Sequence, residues 1–95
     1  MKRVLSTEVK KFNSKQVAVA GWVQNLRDVG SLVFIVLRDR SGLLQLICKR
    51  ESAEQARKLS LESSIYATGV VKVDEKIKMG GVEIAVEKIQ LVAGS

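Results

Sequence analysis

Apolar side chains recur at every second position along most of this chain of 95 residues, which is the pattern of strands that bury one face. Polar segments that contain glycine interrupt the pattern and predict turns. The predicted strands cover residues 16–26, 32–38, 43–49, 64–73 and 82–92, with connecting loops at 27–31, 39–42 and 74–81. We therefore expect a fold built mainly from five short strands.

One segment between the third and fourth strands has a different period. Ala53, Ala56 and Leu59 fall on one side of a helix over residues 52–61. Ser52 precedes this apolar side and is the residue type that favours an N-cap. The sequence therefore predicts one short amphipathic helix here.

The order of three strands, one helix and two strands predicts the fold class. It is all-β with one short helix, and it matches the OB-fold, a five-stranded Greek-key barrel with its helix between strands 3 and 4. Gly21 interrupts the first strand, as expected where a small barrel turns a corner. A turn of helix is also expected over residues 6–12. Because the chain is short, residues 1–95 are predicted to form a single domain.

The residues that most enzymes and metal sites require are scarce in this chain. It has no histidine and only one cysteine, Cys48, which rules out Ser-His and Cys-His nucleophiles, an intrachain disulfide and a cysteine-based zinc site. Paired acids, a phosphate-binding loop and a metal-ligand cluster are not apparent either. We expect no catalytic residue and no metal ligand in this segment.

The net charge of +6 is distributed unevenly. Residues 1–50 hold ten basic and three acidic side chains, whereas residues 51–95 hold six and seven. A one-sided basic balance points first to nucleic acid and second to an acidic membrane surface. A basic domain without such a partner is the alternative that charge alone leaves open.

The sequence indicates a cytoplasmic protein without a membrane span. Two basic residues near the N-terminus are not followed by an apolar run of signal-peptide length. No stretch approaches the roughly 20 apolar residues that cross a bilayer. A single cysteine also fits a reducing compartment.

Alternation along the second and third strands predicts which side chains face outward. The unbroken aliphatic set in the second strand is expected in the core, and an even-length turn then sets the third strand. The predicted core residues are Val33, Ile35, Leu37, Leu44, Leu46 and Cys48. The predicted outer residues are Phe34, Val36, Arg38, Leu43, Gln45 and Ile47.

An exposed aromatic residue near an amide is the arrangement by which such barrels hold unpaired bases. Phe34 can stack on a base, and Gln45 can both donate to and accept from its edge. Alternatively, Phe34 faces inward or packs under a terminal extension. Arg27, in the first predicted loop, can bind phosphate or a base, or can simply pair with Asp28. Trp22, beside the bend, is expected to be partly buried.

Several runs resemble the N-terminal anticodon-binding domain of class IIb aminoacyl-tRNA synthetases. The resemblance is closest to the aspartyl enzymes, with the asparaginyl enzymes next. It is carried by Gly21-Trp22-Val23, by RDVGSLVFI at 27–35 and by LRDRSGLLQ at 37–45. Thr68-Gly69 and Gly81-Val82-Glu83-Ile84 are also similar to the family, so the resemblance covers nearly the whole chain.

The resemblance implies a role for four residues. Phe34 matches the aromatic that stacks on the central anticodon base, a uridine in tRNA-Asp and tRNA-Asn. Gln45 matches the residue that hydrogen-bonds the edge of that uridine, and Arg27 matches an arginine that contacts the anticodon. Glu83 aligns with the acidic residue near the first anticodon base. The preceding loop, 74–81, is shorter than in many bacterial members.

The resemblance also implies what the segment lacks. The catalytic domain of the family, which binds ATP and Mg, would follow beyond residue 95, so no cofactor is expected in this segment. The expected partner is the anticodon loop of tRNA-Asp, with tRNA-Asn as a second candidate. Members of the family dimerise largely through other parts, so the isolated domain is expected to be a monomer.

Two other classes of function remain open at the level of sequence. One is a sequence-tolerant module that binds single-stranded nucleic acid on the same barrel. The other is a protein-interaction module, including an engineered binder on this scaffold.

Overall fold

The computed structural model describes residues 2–94 and contains the predicted order of elements. The strands are β1 (Gln16–Asp28), β2 (Leu32–Asp39), β3 (Gly42–Lys49), β4 (Ser64–Val73) and β5 (Val82–Ala93), with helix α1 (Arg50–Arg57) between β3 and β4. Short 3-10 helices cover Ser6–Phe12 and Met79–Gly81. Residues 1 and 95, the ends of the predicted domain, lie outside the described residues.

The five strands close into a barrel in the order β1-β2-β3-β5-β4. The β3–β5 pair is parallel and the other four pairs are antiparallel. The long strand β1 serves both halves of the barrel, because its first part pairs with β4 and its second part with β2. The predicted five-stranded OB-fold is confirmed.

Two glycines allow the strands to come together closely. A Cβ atom on Gly21 would lie 2.3 Å from the carbonyl oxygen of Arg38, at the point where β1 leaves β4 for β2. A Cβ atom on Gly69 would lie 2.2 Å from the carbonyl oxygen of Ala85, next to a register shift between β4 and β5. Since side chains cannot be accommodated at such distances, both positions require glycine.

The core lies inside the barrel and is almost entirely aliphatic. The six predicted core residues of β2 and β3 are fully buried, and Val17, Val19, Val23, Ile65, Val71 and Ile84 join them. Burial raises the pKa of the Cys48 thiol to about 11, so this cysteine acts as a small core residue. Among residues 2–94, no helix is long and apolar enough to cross a membrane.

The helix differs from its prediction in position and in its N-cap. It begins at Arg50 and ends at Arg57, and Lys49 is the N-cap residue. Ser52 is therefore inside the first turn, where its hydroxyl donates to the carbonyl oxygen of Lys49 at 2.8 Å and accepts from the Lys49 amide at 3.0 Å. The helix starts early because it follows directly on β3, so Lys49, the last residue of β3, takes the N-cap position.

Asp39 fastens the N-terminal 3-10 helix to the turn between β2 and β3. Its carboxylate accepts hydrogen bonds from the Ser6 amide at 2.7 Å and the Ser6 hydroxyl at 2.8 Å. It also accepts from the amide and hydroxyl of Ser41 at 2.9 and 2.7 Å and from the Gly42 amide at 3.2 Å. Asp39 thus links the N-terminal segment to the barrel, in addition to shaping the turn in which it lies.

We predict that Asp39→Asn lowers the free energy of unfolding at neutral pH by about 1.5–3 kcal/mol, because a neutral amide cannot replace the charged acceptor. Burial opposes ionisation of Asp39, but the hydrogen bonds from Ser41 and Ser6 outweigh it and lower the pKa of the carboxyl below 3.8. The stabilisation is therefore present above this ordinary pKa and is lost as the pH falls through the lower pKa of the folded state.

Denaturant unfolding between pH 7 and pH 2 tests this prediction. The difference between wild type and Asp39→Asn should shrink below pH 4, in the range of the ordinary pKa of 3.8. Asp74→Asn, which removes a carboxylate from an exposed hydrogen bond to the Lys76 amide, is the matched control. Equal stability of the two variants at pH 7 would show that Asp39 does not hold the N-terminal helix in this way.

Candidate nucleic-acid interface

The outer face of β1, β2, β3 and β5 presents the candidate site as two adjacent rows of side chains. In one row, Arg27 of β1 lies opposite Phe34 of β2, which lies opposite Ile47 of β3. In the next row, the strand register aligns Asn25, Val36, Gln45 and Glu83. The four residues singled out by sequence therefore lie on one face, in neighbouring rows.

Arg27 and Phe34 form a stacked pair. Strand β1 continues to Asp28, so Arg27 belongs to a strand and not to the loop that its polar neighbours suggest. Its guanidinium carbon lies 4.9 Å from the centroid of the Phe34 ring, a cation–π geometry. Phe34 is half-buried on the outer face, so its side chain does not face the core.

Gln45 and Glu83 form a second contact on the same face. The Nε2 atom of Gln45 donates to the Oε1 atom of Glu83 at 2.9 Å. Glu83 is buried, with 9% of its surface exposed, between β3 and β4. Because a carboxylate only accepts hydrogen bonds, the amino end of the Gln45 amide must be the end that faces Glu83.

Neither contact was predicted from the sequence. The Arg27–Phe34 pair depends on β1 extending past its apolar pattern, and the Gln45–Glu83 pair joins residues 38 positions apart through the parallel β3–β5 pairing. The sequence showed that the four residues are an arginine, an aromatic residue, an amide and a carboxylate, which can pair in several combinations. It did not show which of them would be in contact.

Arg57 of α1 holds the loop that follows Arg27. Its guanidinium donates to the Asp28 carboxylate at 2.9 Å, to Glu54 at 3.1 Å and to the carbonyl oxygen of Gly30. The hydrogen bond from Arg57 lowers the pKa of Asp28, and so does the bond from the Gly30 amide. Asp28 is therefore paired with Arg57 and not with its neighbour Arg27. The helix thus fixes the end of β1 that carries Arg27.

One cavity lies away from these rows. It has a volume of about 650 Å³ beside the bend in β1, and Trp22, 36% exposed, contributes to its lining. Arg3 and Arg40 line it together with the carboxylates of Glu8 and Asp39. Since the two signs of charge offset each other, this cavity does not form a cationic pocket.

Among residues 2–94, no group of acidic or cysteine side chains could hold a metal ion.

A family model described as an OB-fold nucleic acid binding domain matches residues 17–92. The match includes all four site residues and all five strands except for the first residue of β1 and the last residue of β5. The chain therefore belongs to the family of OB-fold nucleic acid binding domains.

Curated relatives define the branch of this family. The asparagine–tRNA ligase of Thermococcus gammatolerans is 40% identical over 95 residues, which is 95% of this chain and 22% of that protein. The aspartate–tRNA(Asp/Asn) ligase of Archaeoglobus fulgidus is 41% identical over 96 residues, again covering 95% of this chain and 22% of that protein. The chain thus spans about a fifth of the length of these relatives and corresponds to the anticodon-binding OB domain of the class IIb Asp/Asn-tRNA ligases.

Solved structures agree with this assignment. The asparaginyl-tRNA synthetase of Pyrococcus horikoshii, complexed with asparaginyl-adenylate, superposes with a TM-score of 0.87 and 35% identity, covering 100% of this chain and 23% of that one. The OBody AM2EP06, bound to hen egg-white lysozyme, superposes with a TM-score of 0.89 over 100% of this chain and 96% of that one. At 24% identity, the second likeness concerns the fold alone.

We predict that Arg57→Ala loosens the loop between β1 and β2 without unfolding the barrel. Its hydrogen bonds to Asp28 and to the Gly30 carbonyl oxygen would be lost, so the Gly30 amide should exchange with solvent several-fold faster. Lys58→Ala, which removes an adjacent exposed cation, is the control. Hydrogen exchange measured by NMR checks this, and unchanged protection of Gly30 would contradict the clamp.

Proposed function

We propose that this domain recognises the anticodon loop of tRNA-Asp or tRNA-Asn by holding the central anticodon uridine on its outer sheet. The observation that carries the proposal is the convergence of Arg27, Phe34, Gln45 and Glu83 on one face of a barrel from this family. The face offers an aromatic ring, a cation and an amide, which are the groups that bind splayed-out bases.

Phe34 provides the stacking platform. The guanidinium carbon of Arg27 lies 4.9 Å from the ring centroid, and we propose that a base stacks against this pair as a third layer. Since Arg27 lies on the same face as Phe34, its charge can also attract a phosphate of the bound RNA. The contact with Arg27 holds the ring ready for the base before the RNA arrives.

Gln45 and Glu83 supply the hydrogen-bonding groups. Gln45 lies one row from Phe34 on the same face, within reach of the edge of a base that stacks there. Glu83 lies on the far side of Gln45, where a carboxylate can accept from the edge of the first anticodon base. In this proposal, specificity comes from the neutral Gln45 and the acidic Glu83. The basic first half of the chain accelerates the encounter with RNA.

The domain performs this step as part of a larger ligase. Aminoacylation, with ATP and Mg, belongs to the catalytic part of such an enzyme, and residues 1–95 act as one domain without a cofactor of their own. We place the protein in the cytoplasm, where charged tRNA is used, and we propose that the isolated domain is a monomer.

We predict that Phe34→Ala weakens binding to an anticodon stem-loop with a central uridine by about 1–3 kcal/mol, the value of one base–aromatic stack. Phe34→Tyr keeps the ring and should bind almost as well as wild type. Fluorescence anisotropy at fixed salt measures both affinities, and circular dichroism confirms the fold of each variant.

Tyr66→Ala is the matched control, because it removes a half-buried aromatic ring from β4, outside the proposed site. Equal affinity of wild type and Phe34→Ala would contradict the stacking role. Equal affinity of wild type for unrelated oligonucleotides, with a steep salt dependence, would favour a sequence-tolerant binder instead.

A further inference from the structure

The hydrogen bond between Gln45 and Glu83 fixes the direction of an amide that could otherwise point either way. An isolated glutamine can turn its carbonyl oxygen or its amino group toward a ligand, so it discriminates poorly between donors and acceptors. Here the Nε2 atom donates to the Glu83 carboxylate at 2.9 Å. Reversing the amide would bring the Oε1 atom of Gln45 against a carboxylate oxygen, and two acceptors at that distance repel each other.

The strand order determines what this direction means for a bound base. Glu83 lies on β5, on one side of Gln45, and β2 with Phe34 lies on the other side. With its amino end turned to β5, the amide turns its carbonyl oxygen away from Glu83, and in this proposal that oxygen faces the base that stacks on Phe34. A base stacked on Phe34 therefore meets an acceptor first.

The two pyrimidines differ in the group that they present to such an acceptor. Uridine carries a hydrogen at N3 and can donate to the Gln45 carbonyl oxygen, whereas N3 of cytidine is itself an acceptor. For a base that stacks on Phe34 with its N3 toward the Gln45 carbonyl oxygen, the fixed amide therefore matches uridine and opposes cytidine.

We infer that Glu83 is a positioning residue that makes the site selective for uridine over cytidine at the central anticodon position, by holding the amide of Gln45 in one direction. This inference rests on the proposed function and adds a role for Glu83 besides its contact with the first base. Its bond to Gln45 uses the Oε1 atom, so the same carboxylate can serve both roles.

The burial of Glu83 suits it to this role. With 9% of its surface exposed, it cannot easily turn into solvent and release the amide. Lys72 of β4 lies opposite Glu83 in the strand register, but among residues 2–94 no cation lies within 4.0 Å of its carboxylate. The described partner of the Glu83 side chain is therefore Gln45.

Glu83→Gln tests the inference because it keeps the size of the side chain. It replaces a carboxylate, which only accepts hydrogen bonds, with an amide, which can also donate them. A glutamine at position 83 can accept from or donate to Gln45, so the Gln45 amide becomes free to reverse. Binding of two anticodon stem-loops, with uridine or cytidine at the central position, is measured for each variant by anisotropy at the same salt concentration.

We expect the ratio of uridine to cytidine affinity to fall by about tenfold in Glu83→Gln, with much of the change coming from tighter binding of the cytidine loop. A gain in cytidine binding cannot result from partial unfolding. Glu87→Gln, which removes the same charge from the same strand, should change both affinities equally and leave the ratio unaltered. Gln45→Ala should abolish the preference in the presence or absence of Glu83.

The outcomes separate this inference from the function on which it rests. If wild type shows no preference for a central uridine, the proposed function fails. If wild type prefers uridine and Glu83→Gln keeps the same ratio, the function stands and the positioning role of Glu83 is overturned. A ratio that falls equally in Glu83→Gln and Glu87→Gln would assign the effect to charge and would also overturn the inference.

Discussion

The antiparallel register between β2 and β3 is the constraint on which the rest of this structure depends. Pairing of Val33 with Cys48 and of Ile35 with Leu46 places four apolar side chains inside the barrel. The same register places every intervening side chain on the outer face. A slip of one residue would bury the Phe34 row and expose the core, so the hydrophobic effect that folds the barrel also sets the position of the proposed binding face.

Barrel closure completes that face. The parallel pairing of β5 with β3 turns Ile84 into the core and brings Glu83 beside Gln45. Two clamps then hold the ends of the sheet in place. Asp39 fastens the N-terminal 3-10 helix to the turn between β2 and β3, and Arg57 fastens the loop between β1 and β2 to α1. The sheet that carries the candidate residues is therefore held at both ends, which would reduce the loss of conformational freedom in the proposed binding of RNA.

The sequence predicted those parts of the fold that depend on local pattern. The alternation in β2 and β3 is unbroken, so its inner and outer residues were assigned correctly, and Gly21 marked the corner of the barrel. Arg27 was wrongly placed in a loop, because its strand pairing depends on the partner strand and not on its own polar neighbours. The Gln45–Glu83 contact could not be predicted, since it arises from a parallel pairing between distant segments. The roles of these residues in RNA recognition stay predictions.

The central claim is that the outer face of the barrel reads an anticodon through the base held between Phe34 and Gln45. Calorimetric titration of this chain with a set of stem-loops that differ only in the three anticodon bases tests it most directly. The account predicts that replacing the central uridine weakens binding more than replacing either neighbouring base, at every salt concentration. Equal affinity for every stem-loop, varying only with salt, would contradict it.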